Sequence, residues 1–243
     1  HKNLWGAIPN KGVVCYNMQQ QLLYEFGYTD DAHGVPQGAI CSISECKDGA
    51  LIVYDDGKLV CCDVMHQQHT VWATEGLEQL KNRRTKSLRA FADQQDNIWL
   101  YGQGTLYMYN KSANLWDTNI GPSLGLTGYG VDRNINGMAG DRSGNIWIGS
   151  DQLGLLKMDV NTHSVESVKP RNINMNPGEI DKISIQSVYV DDTDLLWVGT
   201  EKSGVAYCGQ YIYRFGARHL GDITAITQDA NGTIWYGTSD KGV

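Results

Sequence analysis

The sequence lacks any apolar run approaching the roughly 20 residues that a membrane-spanning helix needs. Its first residues, HKNLWGAIPN, lack the basic and then apolar layout of a secretory signal. Any membrane anchor or targeting signal is therefore expected outside these 243 residues. Helical periodicity is nearly absent as well, which argues against a fold built from helical repeats.

An excess of positive charge is also lacking. The 27 acidic residues outnumber the 20 lysines and arginines, so the net charge is -7. Because such a surface repels phosphate backbones, we do not expect this segment to bind nucleic acid. The densest basic stretch, residues 81–86, is interpreted as a solvated loop.

The sequence has no arrangement that is typical of metal or catalytic chemistry. His66 and His69 lie three residues apart, and on a strand such residues point to opposite faces. Neither a nucleophile elbow nor a phosphate-binding glycine loop is found. We therefore predict no catalytic residue, no metal and no cofactor. The cysteines form no C-x-x-C pair and are predicted to be buried free thiols: Cys15, Cys41, Cys46, Cys61, Cys62 and Cys208.

The sequence does contain a repeat of about 46 residues. Each clear copy reads Asp, two residues, Gly or Asp, one residue, Ile or Leu, and Trp, as in residues 141–147. The frame also fits around Trp5 and, with isoleucine in place of tryptophan, around Ile52. The clear copies have the pairs Asp93/Trp99, Asp141/Trp147, Asp191/Trp197 and Asp229/Trp235.

Each copy has the residue types of a small antiparallel sheet. Paired aliphatic residues before the turn predict a first strand, the Ile-Trp pair a second, and a later glycine opens a third. In the turn, the aspartate is expected to accept backbone N–H bonds, and the Gly or Asp to adopt a left-handed conformation. Because a catalytic acid is needed only once, the recurring aspartate is interpreted as a turn cap.

Four short antiparallel strands per repeat, with an aromatic at a fixed place, are typical of a β-propeller blade. We predict an all-β fold in which residues 1–243 form one propeller region of about five four-stranded blades plus partial ends. A seven-bladed ring at this period needs roughly 320 residues, so a fragment of such a ring, truncated at both ends, is expected. The blade anchors are Trp5, Ile52, Trp99, Trp147, Trp197 and Trp235. We expect Trp99, Trp147 and Trp197 to be largely buried between sheets.

Specific chemistry is expected in the irregular connections, because loops vary while blades repeat. The connections from a fourth strand to the next first strand should gather on one face, opposite the Asp-x-x-Gly turns, and bind a ligand there. These connections are 26–37, 74–86, 119–133, 169–182 and 215–221. The candidate ligand-binding residues are aromatic or forked hydrogen-bonding groups: Tyr28, His33, Arg83, Arg84, Tyr129, Arg133, Arg171, Asn172, Arg218 and His219.

The string Ile-x-x-Ile-x-x-Asp-x-x-Gly-x-Ile-Trp-x-Gly-Thr, cleanest at residues 223–238, resembles the two-component regulator propeller repeat. Copies of it span essentially the whole chain. The resemblance implies a seven-bladed propeller, often two in tandem, in the periplasmic part of hybrid sensor histidine kinases of gut Bacteroidetes. It also implies that the propeller detects an oligosaccharide, or another small extracellular ligand, and controls genes for its use.

The same resemblance places membrane attachment, the kinase and the DNA-binding region outside this segment. It also allows a homodimer formed through the parent protein. The segment itself is then a sensor rather than an enzyme. Two alternatives stay open: a propeller enzyme similar to the streptogramin lyases, whose repeats look alike, and a protein-interaction scaffold. A lone His and Glu facing the axis of a complete ring would favour the enzyme.

Overall fold

The computed structural model describes most of the chain. The described residues are 3–29, 33–72, 77, 88–102, 104–124, 134–151, 153–168, 184–202, 204–208, 212–215, 222–239 and 242. Within these ranges, helix is confined to the four residues of α1 (Ile120–Ser123). No described helix is long and apolar enough to cross a membrane.

The other regular elements are short strands rich in β-branched and aromatic residues, which suit a pleated, half-buried surface. They are β1 (Leu4–Ile8), β2 (Gly12–Tyr16), β3 (Leu22–Gly27), β4 (Ile40–Cys46), β5 (Gly49–Tyr54), β6 (Leu59–Asp63), β7 (Gln68–Trp72), β8 (Arg89–Ala92), β9 (Ile98–Gly102), β10 (Thr105–Asn110), β11 (Leu115–Asp117), β12 (Ile135–Gly140), β13 (Asn145–Ser150), β14 (Gly154–Asp159), β15 (Val165–Ser167), β16 (Ile185–Val190), β17 (Leu196–Thr200), β18 (Val205–Cys208), β19 (Ile212–Phe215), β20 (Ile223–Gln228) and β21 (Ile234–Thr238).

The strands form antiparallel sheets in which neighbours in the sheet are also neighbours in the chain. Four sheets have four strands each: β4–β7, β8–β11, β12–β15 and β16–β19. Among the described residues, β1–β3 form a three-stranded sheet and β20–β21 a two-stranded sheet. This organisation confirms the predicted all-β fold of four-stranded antiparallel blades.

The chain divides into two compact units. The first comprises His1–Gly102 and Tyr107–Thr118, and the second comprises Gln103–Leu106 and Asn119–Val243. In the first unit β4 packs against β8, and in the second β16 packs against both β12 and β20. Within each unit, therefore, adjacent sheets contact one another through their first strands.

The core of the first unit covers both faces of the β4–β7 sheet. On one face, Leu51 and Val53 pack with Leu100 of the neighbouring sheet. On the other face, Ile52 packs with Phe26 of the β1–β3 sheet. Because successive residues of a strand point to opposite faces, β5 reads as an unbroken apolar run.

The Asp-x-x-Gly turn is built around one carboxylate. In the β12–β13 turn, Asp141 Oδ1 accepts the backbone N–H groups of Ser143 (3.0 Å) and Asn145 (2.8 Å). Its Oδ2 accepts the indole N–H of Trp147 at 3.0 Å. The carboxylate–indole bond recurs in Asp93–Trp99 (2.8 Å), Asp191–Trp197 (2.8 Å) and Asp229–Trp235 (2.9 Å). The predicted turn-cap role is confirmed, and the same aspartate also orients the tryptophan.

The four tryptophans differ in burial. Trp99 is fully buried, as predicted. Trp147 and Trp197 are half-buried, so the prediction holds for them only in part. Trp235 is 49% exposed and lies on the two-stranded β20–β21 sheet. The carboxylate–indole hydrogen bond is therefore shielded from solvent in some copies and exposed to it in others.

The copy around Ile52 differs from the predicted frame. Cys46 and Gly49 pair directly, so only two residues join β4 to β5. This hairpin is too short for the Asp-x-x-Gly turn, and Ile52 pairs with Ile43 on a fully buried strand. An isoleucine has no polar hydrogen to satisfy, so the missing carboxylate leaves no buried donor without an acceptor.

Close packing explains the glycine that stands two positions after the tryptophan. A Cβ atom on Gly149 would lie 2.5 Å from Ile185 Cγ2, and one on Gly199 would lie 2.6 Å from Ile223 Cγ2. These two isoleucines begin β16 and β20. The first strands β16 and β20 thus pack directly on β13 and β17, the second strands of the preceding sheets. This contact explains why the glycine after the tryptophan recurs together with the isoleucine that begins the next copy.

The turn carboxylates predict a loss of stability in acid. Burial acts to raise the pKa of Asp191, but hydrogen bonds from Thr193 and Trp197 outweigh it and lower the pKa overall. The bond from Trp235 likewise lowers the pKa of Asp229. Since a depressed folded-state pKa stabilises the fold only above the unfolded pKa, the melting temperature should fall once the pH drops below about 4.

Circular dichroism melts at a series of pH values test this prediction. The Asp191→Asn variant, which has no carboxyl group to titrate there, should show a shallower pH dependence than the wild type. An identical slope in both proteins would show that Asp191 contributes nothing to acid sensitivity.

Candidate functional site

Each blade has two ends that differ in construction. The turn end carries the loops between first and second strands. We call the opposite end, formed by residues just before each first strand and just after each second strand, the connection end. In four sheets the two segments are joined by one backbone hydrogen bond. These bonds are Asp55 N–H to Ala39 O (2.9 Å), Asp151 to Asn134 (3.1 Å), Glu201 to Ser184 (2.9 Å) and Ser239 to Asp222 (3.0 Å).

A surface pocket of about 460 Å³ lies at the connection end of the first unit. One wall is the loop after β1, which is the second strand of its blade because it carries the anchor Trp5. The other wall is the connection between β3 and β4. The lining residues are Ala7, Pro9, Asn10, Tyr28, Gln37, Gly38, Ala39 and Ile40. This volume is within the range typical of small-molecule sites.

The pocket is held in shape by its own connection. Tyr28 pairs with Val35, whose N–H donates to Gly27 O at 2.8 Å. Tyr54 donates its hydroxyl to Pro36 O at 2.9 Å, and burial raises the pKa of this phenol, so it remains protonated. A Cβ atom on Gly38 would lie 2.8 Å from the Tyr54 ring. The wall is therefore held by hydrogen bonds and packing within the protein.

The chemistry of the pocket wall suits a polyol. Tyr28 offers an aromatic face, and the side-chain amides of Asn10 and Gln37 can each donate and accept hydrogen bonds. Sugars combine apolar ring faces with hydroxyl groups that donate and accept. No Lys, Arg, Asp or Glu is among the residues that line the pocket, so its described wall is uncharged.

The structure describes two of the predicted site residues, and one of them lines this pocket. Tyr28 does, whereas exposed His33 donates from Nδ1 to Gln67 O at 3.1 Å, on the turn between β6 and β7. The other eight candidates lie outside the described residues: Arg83, Arg84, Tyr129, Arg133, Arg171, Asn172, Arg218 and His219.

A polar cluster occupies the connection end of the second unit. Asp151 Oδ1 accepts bonds from Asn136 Nδ2 (2.5 Å), Ser184 Oγ (2.8 Å) and Gln186 Nε2 (3.3 Å). Asn136 also donates to Ile185 O at 2.9 Å. Because Asn136 lies on β12 and Gln186 on β16, the cluster joins two adjacent sheets. Its carboxylate and amides face the same end of the blades as the predicted ligand site.

The sequence interpretation missed this cluster, although a signal was present. A polar residue directly follows the first isoleucine of the first strand, as in Asn136 and Gln186. An acid stands four positions after the tryptophan at Asp151 and Glu201. Both positions recur with the repeat, but they become neighbours only when two sheets pack side by side.

The turn end is occupied by bonds between sheets. Arg142 donates its backbone N–H to Asp194 Oδ1 (2.9 Å) and its guanidinium to Asp192 O (2.6 Å). In the first unit, Lys47 pairs with Asp96 at 3.5 Å. Asp96 and Asp194 replace the turn glycine with φ of 61° and 66°. An aspartate at this left-handed position thus places a carboxylate where it can bind a residue of the neighbouring sheet.

Metal-binding groups are not brought together in the part of the chain that the structure describes: no three His, Cys, Asp or Glu side chains are placed to share an ion there. His66 instead pairs with Asp63 at 2.5 Å, which lowers the pKa of Asp63 and raises that of exposed His66. Cys15 and Cys62 are buried free thiols, as predicted, whereas Cys41, Cys46 and Cys61 are only half-buried. The side chain of Cys208 lies outside the described residues.

Residues 129–152 and 220–240 match the family model described as two component regulator propeller. These two segments of the chain are two-component regulator propeller repeats. Both matched segments contain the carboxylate–tryptophan turn, at Asp141–Trp147 and Asp229–Trp235. The resemblance noted from the sequence is thereby confirmed. No curated protein matches the chain.

Solved structures with this fold share little sequence with the chain. The extracellular domain of the putative hybrid two-component system BT3049 from B. thetaiotaomicron is 19% identical with a TM-score of 0.67, covering 99% of this chain and 31% of that one. PorZ, a surface component of the type-IX secretion system of Porphyromonas gingivalis, is 14% identical with a TM-score of 0.67, covering 98% and 36%. The WD40 repeats of RRP9 are 16% identical with a TM-score of 0.60, covering 98% and 69%. The chain thus spans about a third of the length of the first two of these proteins.

Proposed function

We propose that these propeller repeats belong to an extracytoplasmic sensor that binds an oligosaccharide at the connection end of the blades. The observation that carries the proposal is the surface pocket walled by Tyr28, Asn10 and Gln37. An aromatic face beside amide groups is suited to a sugar ring and its hydroxyls. The segment is a binding module rather than an enzyme, and a kinase elsewhere in the parent protein would receive the signal.

The contrast between the two blade ends supports this placement. Turn-end polar groups such as Asp194 are engaged in bonds between sheets. At the connection end, the pocket is bounded by a connection whose residues do not recur in the other blades. The fold shared with the extracellular domain of a putative hybrid two-component system agrees with an extracytoplasmic setting. Membrane attachment and homodimerisation are proposed for further segments of the parent protein.

A glycan array probed with the purified chain, followed by calorimetry on the strongest hit, tests the proposal. We expect Tyr28→Ala to weaken binding about tenfold or more, since losing an aromatic contact of roughly 1.4 kcal/mol has that effect. Gln37→Ala should weaken it less. Gln19→Ala is the matched control, because exposed Gln19 lies at the opposite end of the same sheet.

Three results would contradict the proposal. Absence of any glycan hit would remove the sugar-binding function. Unchanged affinity in Tyr28→Ala, with loss in Gln19→Ala, would place the site at the turn end. Chemical conversion of the bound glycan during the titration would show an enzyme instead of a sensor.

A further inference from the structure

Two cysteines that are distant in sequence are in direct contact in the β4–β7 sheet. Cys46 is the last residue of β4, and Cys61 lies on β6. Their Sγ atoms are 3.5 Å apart. Both side chains are half-buried and pack on the same face of the sheet.

The strand register explains how the two thiols meet. β5 lies between β4 and β6, with Gly49 opposite Cys46 and Leu51 opposite Cys61. The two cysteines therefore lie diagonally across β5, next to Gly49. A Cβ atom there would lie 2.1 Å from Cys62 O, and φ is 153°, so no other residue fits without displacement. This glycine therefore lets β5 lie close against β6 at the end of the β4–β5 hairpin, where Cys46 lies.

The surroundings give the two thiols different reactivity. A hydrogen bond from Cys61, helped by the backbone N–H groups of Asp48 and Gly49, lowers the pKa of Cys46 despite partial burial. Donation of that hydrogen bond and burial raise the pKa of Cys61. Since the thiolate is the nucleophile, Cys46 is the more reactive of the pair. Burial raises the pKa of Cys62 to about 12, which leaves it inert.

We propose that Cys46 and Cys61 form a reversible dithiol–disulfide pair, with Cys46 as the attacking thiol and Cys61 as the resolving thiol. The oxidant is a small-molecule or protein disulfide. Cys46 thiolate attacks one of its sulfurs, the S–S bond breaks, one half leaves as a thiolate, and a mixed disulfide remains on Cys46. Cys61 then attacks Cys46 Sγ and releases the second half. Two protein thiols are oxidised, one disulfide is reduced, and the two thiol protons pass to the released thiolates.

The pair is a switch rather than a structural staple. Strands β4 and β6 are two interstrand spacings apart, about 9 to 10 Å. A relaxed disulfide accepts a Cα separation of at most about 7 Å. Oxidation must therefore draw Cys46 and the exposed Lys47–Asp48 turn toward β6, and the strained bond is readily reduced. The Lys47–Asp96 pair, which fastens the next sheet, is the first contact disturbed.

The test is equilibration of the full chain in graded mixtures of reduced and oxidised glutathione, followed by acid quenching, alkylation and peptide mass spectrometry. We expect a Cys46–Cys61 cross-link that appears only in mixtures dominated by oxidised glutathione and disappears on adding reduced glutathione. Cys61→Ser should accumulate glutathione on Cys46, whereas Cys46→Ser should not accumulate it on Cys61. Cys62→Ser is the matched control and should keep the cross-link, because Cys62 points to the opposite face.

Three outcomes would overturn the proposal. The first is a wild-type chain that stays fully reduced in oxidised glutathione while remaining folded by circular dichroism. The second is glutathione that stays on wild-type Cys46 without resolution. The third is a cross-link to another cysteine. None of these results bears on glycan binding at the Tyr28 pocket, so the two proposals fail independently.

Discussion

Replacing Asp141 with alanine should lower the free energy of unfolding by roughly 3 kcal/mol. Asp141 is buried, and its two oxygens accept the N–H groups of Ser143, Asn145 and Trp147. Hydrogen bonds to a shielded carboxylate are worth more than those between neutral groups, and alanine removes all of them together. The loosened turn should also weaken the fastening of Arg142 to the next sheet.

Asp229→Ala is the control for this experiment. Asp229 accepts the corresponding bonds from Asn231, Thr233 and Trp235 within the same unit, without the side-chain amide bond that Asn145 makes to Asp141. Because Trp235 is 49% exposed, water can replace the lost acceptor, and the loss of stability should be clearly smaller than that of Asp141→Ala. Urea unfolding followed by circular dichroism measures both. Equal losses in the two variants would show that shielding from water does not set the strength of this turn.

Replacing Gly199 with alanine is expected to cost about 1 to 3 kcal/mol by overpacking. The added methyl group would lie 2.4 Å from Ser187 Oγ and 2.6 Å from Ile223 Cγ2. Ile223 is β-branched and fully buried at the start of β20, so it has little freedom to move aside. The two sheets would have to separate slightly, and their contact should weaken.

Gly237 occupies the same place in the next copy and provides the matched control. A Cβ atom there meets nothing closer than 3.8 Å, which is ordinary contact. Gly237→Ala should therefore leave stability within about 0.5 kcal/mol of the wild type. Urea midpoints of both variants give the comparison. A Gly199→Ala variant as stable as Gly237→Ala would falsify the view that this glycine is needed for sheet-to-sheet contact.

Parts of the fold and of the site differ in how far they could be predicted. The strands and the carboxylate-capped turns follow from short-range patterns, because alternation and turn chemistry act over a few residues. The hydrogen bond from the indole to the same carboxylate was not predicted. One carboxylate oxygen caps the turn, and the pattern gave no sign that the other oxygen accepts the indole N–H. The short hairpin at Cys46 and Gly49 was missed because an approximate motif match does not reveal a changed loop length.

The sequence by itself determined an all-β propeller built from repeated blades, the role of its recurring aspartates, and one residue of the pocket, Tyr28. Tertiary structure decided the rest of the pocket, which joins residues 7–10 to residues 28–40. It also decided the thiol pair, because Cys46 and Cys61 meet only across an intervening strand. The physical reason is range: backbone patterns are local, whereas a binding wall or a thiol contact depends on the register and packing of strands that lie apart in the chain.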